Sequence, residues 1–306
     1  MKKAVLTGAT GAIGTALIQK LIEEDVFVYV LCRPDSPRKS RIPAHKNVRV
    51  VDCGLGQIES LESFDNRCDV FYHLGWEGTF GGSRDDVYMQ NRNVTYALDA
   101  VALAGRLGCS VFVGAGSQAE YGRVDGILGP KTPVFPETGY GIAKLCAGQL
   151  TRLLCTQSGI RHIWTRILSV YGPGDGMGTM VTSTISKLLN KEETSFTEGE
   201  QQWDYLYSAD AADALFLMGE KGQDGAVYCL GSGSTRPLKE YILALGNAVA
   251  PDVPLGLGKI PYHDKQVMTL CADITELQKD TDFSPKVGFE EGILKTVDWY
   301  KKEWKI

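Results

Sequence analysis

Tyr140 and Lys144 stand four residues apart in the stretch YGIAK, one helical turn, so an ammonium can lie beside a phenol on one helix face. A nearby cation favours phenolate over phenol, which would let Tyr140 act as general acid or base nearer neutral pH. Ser117 ends the apolar run VFVGAGS, and its hydroxyl could hold a substrate oxygen beside Tyr140. A second constellation gives this set its weight, because Y-x-x-x-K alone is common on helix surfaces. TGATGAIG, residues 7–14, follows the apolar AVL. A strand, then glycines, then a helix is the context in which backbone N–H groups and a helix N-terminus hold a pyrophosphate. Gly8 permits the turn, Gly11 lets phosphates approach, Gly14 allows close packing of helix on strand, and Thr10, Ala12 and Ile13 complete the cradle. The spacing is G-x-x-G-x-x-G, and a plain strand-turn-helix connection is the alternative.

These residues need a scaffold, and the chain supplies one. Short β-branched runs, AVLT, VFVYVLC, VRVVD, DVFYHL, SVFVGAG and HIWTRILSV, alternate with helical patterns. That alternation predicts an α/β fold, a Rossmann-like doubly wound parallel sheet with a smaller C-terminal lobe. Helices are predicted over Ile13 to Glu24, Asp86 to Leu107, Gly141 to Gln157, Met180 to Asn190 and Asp210 to Gly219, with a polar stretch from Lys191 to Gln202. The pattern changes at GPGDGMG, beyond Tyr171. The division expected is a dinucleotide-binding domain over 1–170, to which 208–231 with its strand AVYCLG returns, and a substrate lobe over 171–207 and 232–306. The last part of the chain reads as small helices and loops.

Composition excludes several classes. Lys plus Arg total 32 against 37 Asp plus Glu in 306 residues, a net charge of -5, which gives no basic field for nucleic acid. The apolar start of the chain is cut by Gly and Thr too early for a signal peptide or a membrane span, so a cytoplasmic protein is expected, with no membrane partner. Eight cysteines are scattered without a C-x-x-C pair, and most of them read as buried free thiols. His45, His73, His162 and His263 show no metal-ligand spacing. No metal site is predicted.

Taken together, the ordered motifs resemble the extended short-chain dehydrogenase/reductases that modify nucleotide-linked sugars. The resemblance runs through TGATGAIG, Asp52 closing the third strand, HLGW, NVTYALDA, SQAEYG, YGIAK, RILSVYGPGD, WDYLYSADAADA and FEEGILKTVDWYKKEW. It implies that Asp52 touches the adenine, that Leu74 and Gly75 line the cofactor, that Asn93 supports the active-site framework, and that the backbone at Val170 and Tyr171 faces the carboxamide. Lys144 would also bond the nicotinamide ribose. Asp52 as a loop cap and Asn93 as a helix cap are the plainer readings. Trp76, Gln118, Ala119 and Ser169 would lie on the sugar side, with Gln201, Trp203 and Arg236 as further substrate contacts.

The resemblance also discriminates reactions. Family 4,6-dehydratases carry an Asp-Glu pair where this chain has Gln118 and Ala119, and the GDP-fucose synthase type has a cysteine at Ala119. Chemistry at one carbinol or ketone carbon remains, with Ser117 and Tyr140 managing the proton. The resemblance narrows to 4-ketoreductases of the CDP-abequose or CDP-paratose synthase kind and to 4-epimerases, and a cofactor-binding protein without catalysis is the third reading. Two positions depart from the family pattern: Trp203 stands where an arginine often grips pyrophosphate, and Ser169 where asparagine is common. Trp203 would stack on a base or pack in the core.

The cofactor is read from the end of VFVYVLCRPDS. An NAD site usually ends its second strand with an acidic residue on the ribose. Here Cys32 and Arg33 stand there, and an arginine can pair with a 2′-phosphate. NADP is therefore preferred, with NAD the alternative if Arg33 is a solvated charge and Asp35 reaches the ribose. A homodimer is implied by the resemblance, through the helices Asp86 to Leu107 and Gly141 to Gln157.

Overall fold

AVLT, VFVYVLC and DVFYHL are apolar at nearly every position, the pattern of strands covered on both faces. The computed structural model describes residues 1–65, 67–264 and 266–304. In chain order its first half runs β1 (Lys3–Thr7), α1 (Ala12–Glu23), β2 (Phe27–Cys32), β3 (Val48–Asp52), β4 (Val70–His73), α2 (Val87–Arg106), β5 (Val111–Ser117), α3 (Gly139–Ser158) and β6 (Arg161–Ile167). The second half runs β7 (Ser169–Tyr171), α4 (Met180–Leu189), β8 (Gln202–Trp203), β9 (Tyr205–Tyr207), α5 (Ser208–Lys221), β10 (Ala226–Leu230), β11 (Arg236–Pro237), α6 (Leu238–Val249), β12 (Thr269–Leu270), α7 (Thr275–Thr281) and α8 (Phe289–Trp304).

Seven strands pair in parallel in the order β10-β6-β5-β4-β1-β2-β3. This is the α/β doubly wound sheet that the alternation of runs predicts. Strand order reverses at β1, which pairs with β2 on one side and β4 on the other. Chains leaving the carboxyl ends of β1 and β4 diverge there, and that opens a crevice.

Alternation along β1 divides the core into two layers. Ala4 and Leu6 pack with Leu17, Ile18 and Leu21 of α1 and with Leu215 and Met218 of α5. Val5 packs on the opposite face with Val101 and Leu103 of α2. Each fully buried Leu, Ile or Val contributes about 1.5–3 kcal/mol, so these two layers hold the middle of the sheet in place. A third cluster, with Tyr171, Ile185, Tyr241, Phe289, Ile293, Val297 and Tyr300, joins α4, α6 and α8 in the C-terminal part.

Three features differ from the sequence reading. HIWTRILSV is not one strand: Leu168 N donates to Leu230 O at 2.9 Å, after which β7 leaves the main sheet and pairs with β9. α3 begins at Gly139, earlier than its apolar spacing indicates, because the Thr138 hydroxyl caps it by accepting from Gly141 N at 3.1 Å. The C-terminal part is more ordered than small helices and loops. α8 spans 16 residues, with Phe289, Ile293, Val297 and Tyr300 at helical spacing on its buried face. No described helix is long and apolar enough to cross a membrane.

Candidate active site

β5 carries Ser117 to the carboxyl edge, where the chain turns through a short 3-10 helix, Gln118–Glu120. The turn is fixed from within. Ser117 Oγ accepts from Ala119 N at 3.2 Å, and Ser117 N donates to Glu120 Oε1 at 2.8 Å. Glu120 is wholly buried and also accepts from Trp164 Nε1 at 2.9 Å and Arg166 Nε at 2.8 Å. Ser117 is thus anchored by a buried ion pair beneath it.

Tyr140 lies in the first turn of α3 and Lys144 one turn later, both buried. The structure corrects the expected electrostatics of this pair. Lys144 Nζ donates to Ala115 O at 2.6 Å and stands 3.8 Å from the Trp76 ring centre, against 5.7 Å from that of Tyr140. Burial pushes the ammonium down to about 7. Burial likewise pushes the Tyr140 phenol above its ordinary value, opposed by a hydrogen bond with Ser117 and by the charge of Arg84. The cation over the Tyr140 ring is Arg84, whose Cζ is 4.4 Å from the ring centre. Helical spacing placed Lys144 on the right face, but its reach is spent on the end of β5.

Trp76 meets Tyr140 edge-on at 6.1 Å, and its Nε1 donates to Gln90 Oε1 at 2.8 Å. Asn93 holds the loop bearing Trp76 from α2: its Oδ1 accepts from Glu77 N and its Nδ2 donates to Glu77 O, both at 2.9 Å. His73, pushed down to about 3 by burial and by Lys144, is neutral, with Nδ1 3.1 Å from the Thr7 hydroxyl.

A cleft of about 940 Å³ runs along the crevice between β1 and β4. Gly8, Thr10, Gly11, Ala12, Arg33, Leu74, Gly75 and Trp76 line it. Gly8 has φ 77°, and a Cβ there would lie 2.6 Å from Gly75 N, so only glycine fits between the two loops. A Cβ on Gly14 would lie 2.2 Å from Gly8 O, which makes Gly14 a packing residue together with Ile13 on α1. At Gly11 an added Cβ meets only Gly8 O, at 3.9 Å, and otherwise points into open space. The N-terminus of α1 has no side-chain cap and no acidic residue in its first turn. Its exposed N–H groups and dipole fit a dinucleotide pyrophosphate. Asp52 is not among the lining residues; its carboxylate meets Lys39 Nζ at 2.5 Å, and the following residues, Cys53 to Gln57, line the cleft instead. Arg33 is exposed, 3.8 Å from Asp35, with Ser36 and Arg38 on the same wall.

The other predicted residues lie toward the C-terminal part. Gln118 is half-buried, and the backbone of Ala119 abuts Gly141, where a Cβ would stand 2.3 Å from Ala119 O. Val170 and Tyr171 lie on β7, with the Tyr171 hydroxyl turned into the lobe core to donate to Phe289 O at 3.1 Å. Trp203 Nε1 donates to Ser169 Oγ at 2.9 Å. Arg236, opposite Trp203 in the β8-β11 pair, forms an ion pair with Glu290 at 2.7 Å and lies over Tyr241. Gln201 is buried, with Nε2 on Thr197 Oγ1 at 3.3 Å. Among the described residues no cluster of His, Cys, Asp or Glu is placed to hold a metal ion. Seven of the eight cysteines are buried thiols, and Cys146 is exposed.

Sequence reasoning missed Arg84 and Glu120. Arg84 lies in a short 3-10 helix, Gly81–Asp85, in a glycine-rich loop with no periodicity to point inward. Glu120 stands in plain view in SQAEYG, and the signal was Arg166, a charge inside the apolar run HIWTRILSV.

The sequence profile of the NAD dependent epimerase/dehydratase family matches residues 4–231. Among curated proteins the chain is 28% identical over 226 residues to a dTDP-glucose 4,6-dehydratase of Streptomyces niveus, spanning 72% of this chain and 65% of that one. It is 22% identical to a CDP-abequose synthase of Salmonella muenchen over 96% of both chains. Among solved structures, a UDP-glucuronic acid 4-epimerase from Bacillus cereus in complex with NAD shares the fold, with a TM-score of 0.85 at 21% identity, covering 100% of this chain and 98% of that one.

Proposed function

The chain is an enzyme of the NAD dependent epimerase/dehydratase family, and on that premise we propose that it is a 4-ketoreductase, moving hydride at C4 of a nucleotide-linked sugar. The observation that carries this reading is Tyr140, buried in the first turn of α3 and edge-on to Trp76, which lines the cleft, with no carboxylate at 118 or 119 to eliminate water. Glu120 does not stand in for one, since it is buried against Arg166 and Trp164. The likeness to a CDP-abequose synthase along the full chain supports the same reading.

In the proposed mechanism the uncapped start of α1, with Gly8 and Gly11, holds the pyrophosphate of a nicotinamide dinucleotide. Lys144, which donates to Ala115 O, would hold the nicotinamide ribose, and the backbone of Val170 and Tyr171 would meet the carboxamide. Bound there in its reduced form, the cofactor would supply hydride for the ketone carbon. Ser117 holds the carbonyl oxygen, and Tyr140 gives that oxygen its hydroxyl proton as the charge develops. Trp76, Gln118, Ala119 and Ser169 frame the sugar, and Gln201, Trp203 and Arg236 lie on the nucleotide side. In this division of labour 1–170 and 208–231 bind the cofactor, and 171–207 and 232–306 bind the substrate.

NADP is the proposed cofactor form, because Arg33 and Arg38 line the cleft and an arginine pairs well with a 2′-phosphate. The NAD held by the Bacillus cereus structure favours the second reading, a 4-epimerase that returns its hydride. A homodimer through α2 and α3 is also proposed, supported by the exposure of Val87, Tyr88, Ile142 and Leu153 on those helices.

The test is NADPH consumption with a panel of 4-keto nucleotide sugars, run beside Tyr140→Phe. Stoichiometric oxidation by the wild type supports the reductase. Interconversion of 4-hydroxy epimers without net NADPH consumption replaces it with the epimerase, and cofactor binding without either activity refutes both.

A further inference from the structure

Two cations lie near Tyr140, and they are placed differently. Lys144 is committed to the end of β5 through Ala115 O and stands closer to Trp76 than to Tyr140. Arg84 comes from outside the helix, and its guanidinium carbon lies 4.4 Å from the Tyr140 ring centre. Its position is fixed from two sides. Arg84 Nη1 donates to Thr79 O at 3.2 Å, and the next residue, Asp85, accepts through Oδ1 from Gly139 N at 2.9 Å. Gly139 directly precedes Tyr140, and a Cβ there would stand 3.0 Å from Arg84 O. The loop bearing Arg84 is therefore pinned to the same turn of α3 that carries the phenol.

We propose that Arg84 is the positioning residue of Tyr140: it clamps the ring against the loop and stabilises the phenolate formed when the proton leaves. This rests on the reading that Tyr140 is the proton donor. When the Tyr140 hydroxyl proton passes to the substrate oxygen, a negative charge is left on the ring, and a guanidinium beside it offsets that charge until solvent returns the proton. Arginine suits the place, because it stacks flat on an aromatic ring and keeps its charge at any working pH. The groups facing Tyr140 are Arg84 from its loop, Ser117 and Glu120 from the turn after β5, and Lys144 from its own helix. Glu120 opposes phenolate formation, and Arg84 and the Ser117 hydrogen bond favour it. Glu120 is itself neutralised by Arg166.

The test reads the phenol directly and needs no substrate. Protein labelled with 3-fluorotyrosine, which brings phenol ionisation into an accessible pH range, is titrated by fluorine NMR, with the Tyr140 signal assigned by its loss in Tyr140→Phe. Arg84→Gln should raise the Tyr140 midpoint by about one unit, Arg84→Lys should stay closer to the wild type, and Lys144→Met should move it less than Arg84→Gln does. Arg84→Met serves as a second neutral variant should Arg84→Gln fold poorly. A midpoint unchanged in the neutral Arg84 variants, or moved more by Lys144→Met, overturns the proposal. Absence of turnover on every 4-keto sugar would sink the ketoreductase reading while leaving this titration legible, so the two failures are distinguishable.

Discussion

Replacing Glu120 with glutamine keeps the size of the side chain and removes one charge from a closed site. Glu120 has no exposed surface, its partner Arg166 has a side chain 5% exposed, and the two meet at 2.8 Å. Glutamine can still accept from Ser117 N and Trp164 Nε1 through its oxygen, but its amide then faces the Arg166 Nε–H donor to donor. Arginine cannot relieve this by losing its proton, and Arg166 Nη1 is already buried without a hydrogen-bond partner among the described residues. Leaving a buried guanidinium uncompensated costs about 3–5 kcal/mol. At ~2.1 cal/mol/K of unfolding entropy per residue, a chain of this length would lose roughly 5–8 °C in Tm. Glu120→Gln with Arg166→Met removes both charges and should recover to within about 1 kcal/mol of the wild type. Urea and thermal unfolding of the wild type, both single variants and the double variant complete the cycle. A loss under about 1 kcal/mol for Glu120→Gln, or additive losses in the double variant, would refute the claim that this pair holds the turn under Ser117.

Gly11→Ala should fold as the wild type does and lose at least about tenfold in cofactor affinity, about 1.4 kcal/mol, because its methyl enters only the cleft; Gly14→Ala should instead lose stability by about 1–3 kcal/mol, from its clash with Gly8 O. Calorimetric titration with unfolding curves separates the two, and equal stability of both variants would contradict the assignment. Lys144 titrates near 7 in the folded protein and at about 10.4 in an unfolded chain, so the unfolded state binds more protons between those values. Its burial penalty is thus complete below pH 7 and shrinks as pH rises toward 10; Lys144→Met should be more stable than the wild type at pH 7 and lose most of that advantage by pH 9.5, and a constant difference in urea midpoints would contradict this. Arg33→Ala should weaken NADPH binding and leave NADH binding nearly unchanged, and a wild type without preference removes the case for NADP. With dTDP-glucose, UDP-glucose or CDP-glucose the enzyme should give no 4-keto-6-deoxy product, and detection of that product would overturn the argument from Gln118 and Ala119.

Much of the scaffold was legible because its signals are local. The apolar runs of β1, β2 and β4 carry their own burial pattern, and the glycines of TGATGAIG mark contacts that no side chain can enter, as the 2.6 Å and 2.2 Å approaches at Gly8 and Gly14 show. The break between β6 and β7 was not legible, since Leu168 is as apolar as its neighbours and the two strands are told apart only by their partners, β5 and β10 for β6 and β9 for β7. In the site, spacing placed Tyr140 and Lys144 on one face but said nothing about where the ammonium ends; that depends on Ala115 O and the Trp76 ring, contacts across more than twenty residues of chain. Arg84 was hidden for the same reason, because a loop without periodicity reveals its direction only once Asp85 is seen on Gly139. The hydrogen bond from Trp203 to Ser169 joins residues far apart in sequence, and no local pattern announces it.

The most direct measurement is the single-turnover rate of hydride transfer, followed at the reduced nicotinamide absorbance, for wild type and Tyr140→Phe mixed with a 4-keto nucleotide sugar accepted by the wild type. Removing the phenolic hydroxyl deletes the proposed proton donor and leaves the cleft untouched, so the rate should fall by about a hundred- to ten-thousand-fold with the cofactor dissociation constant unchanged. A fall of less than about tenfold would contradict proton transfer by Tyr140, and with it the account of this site.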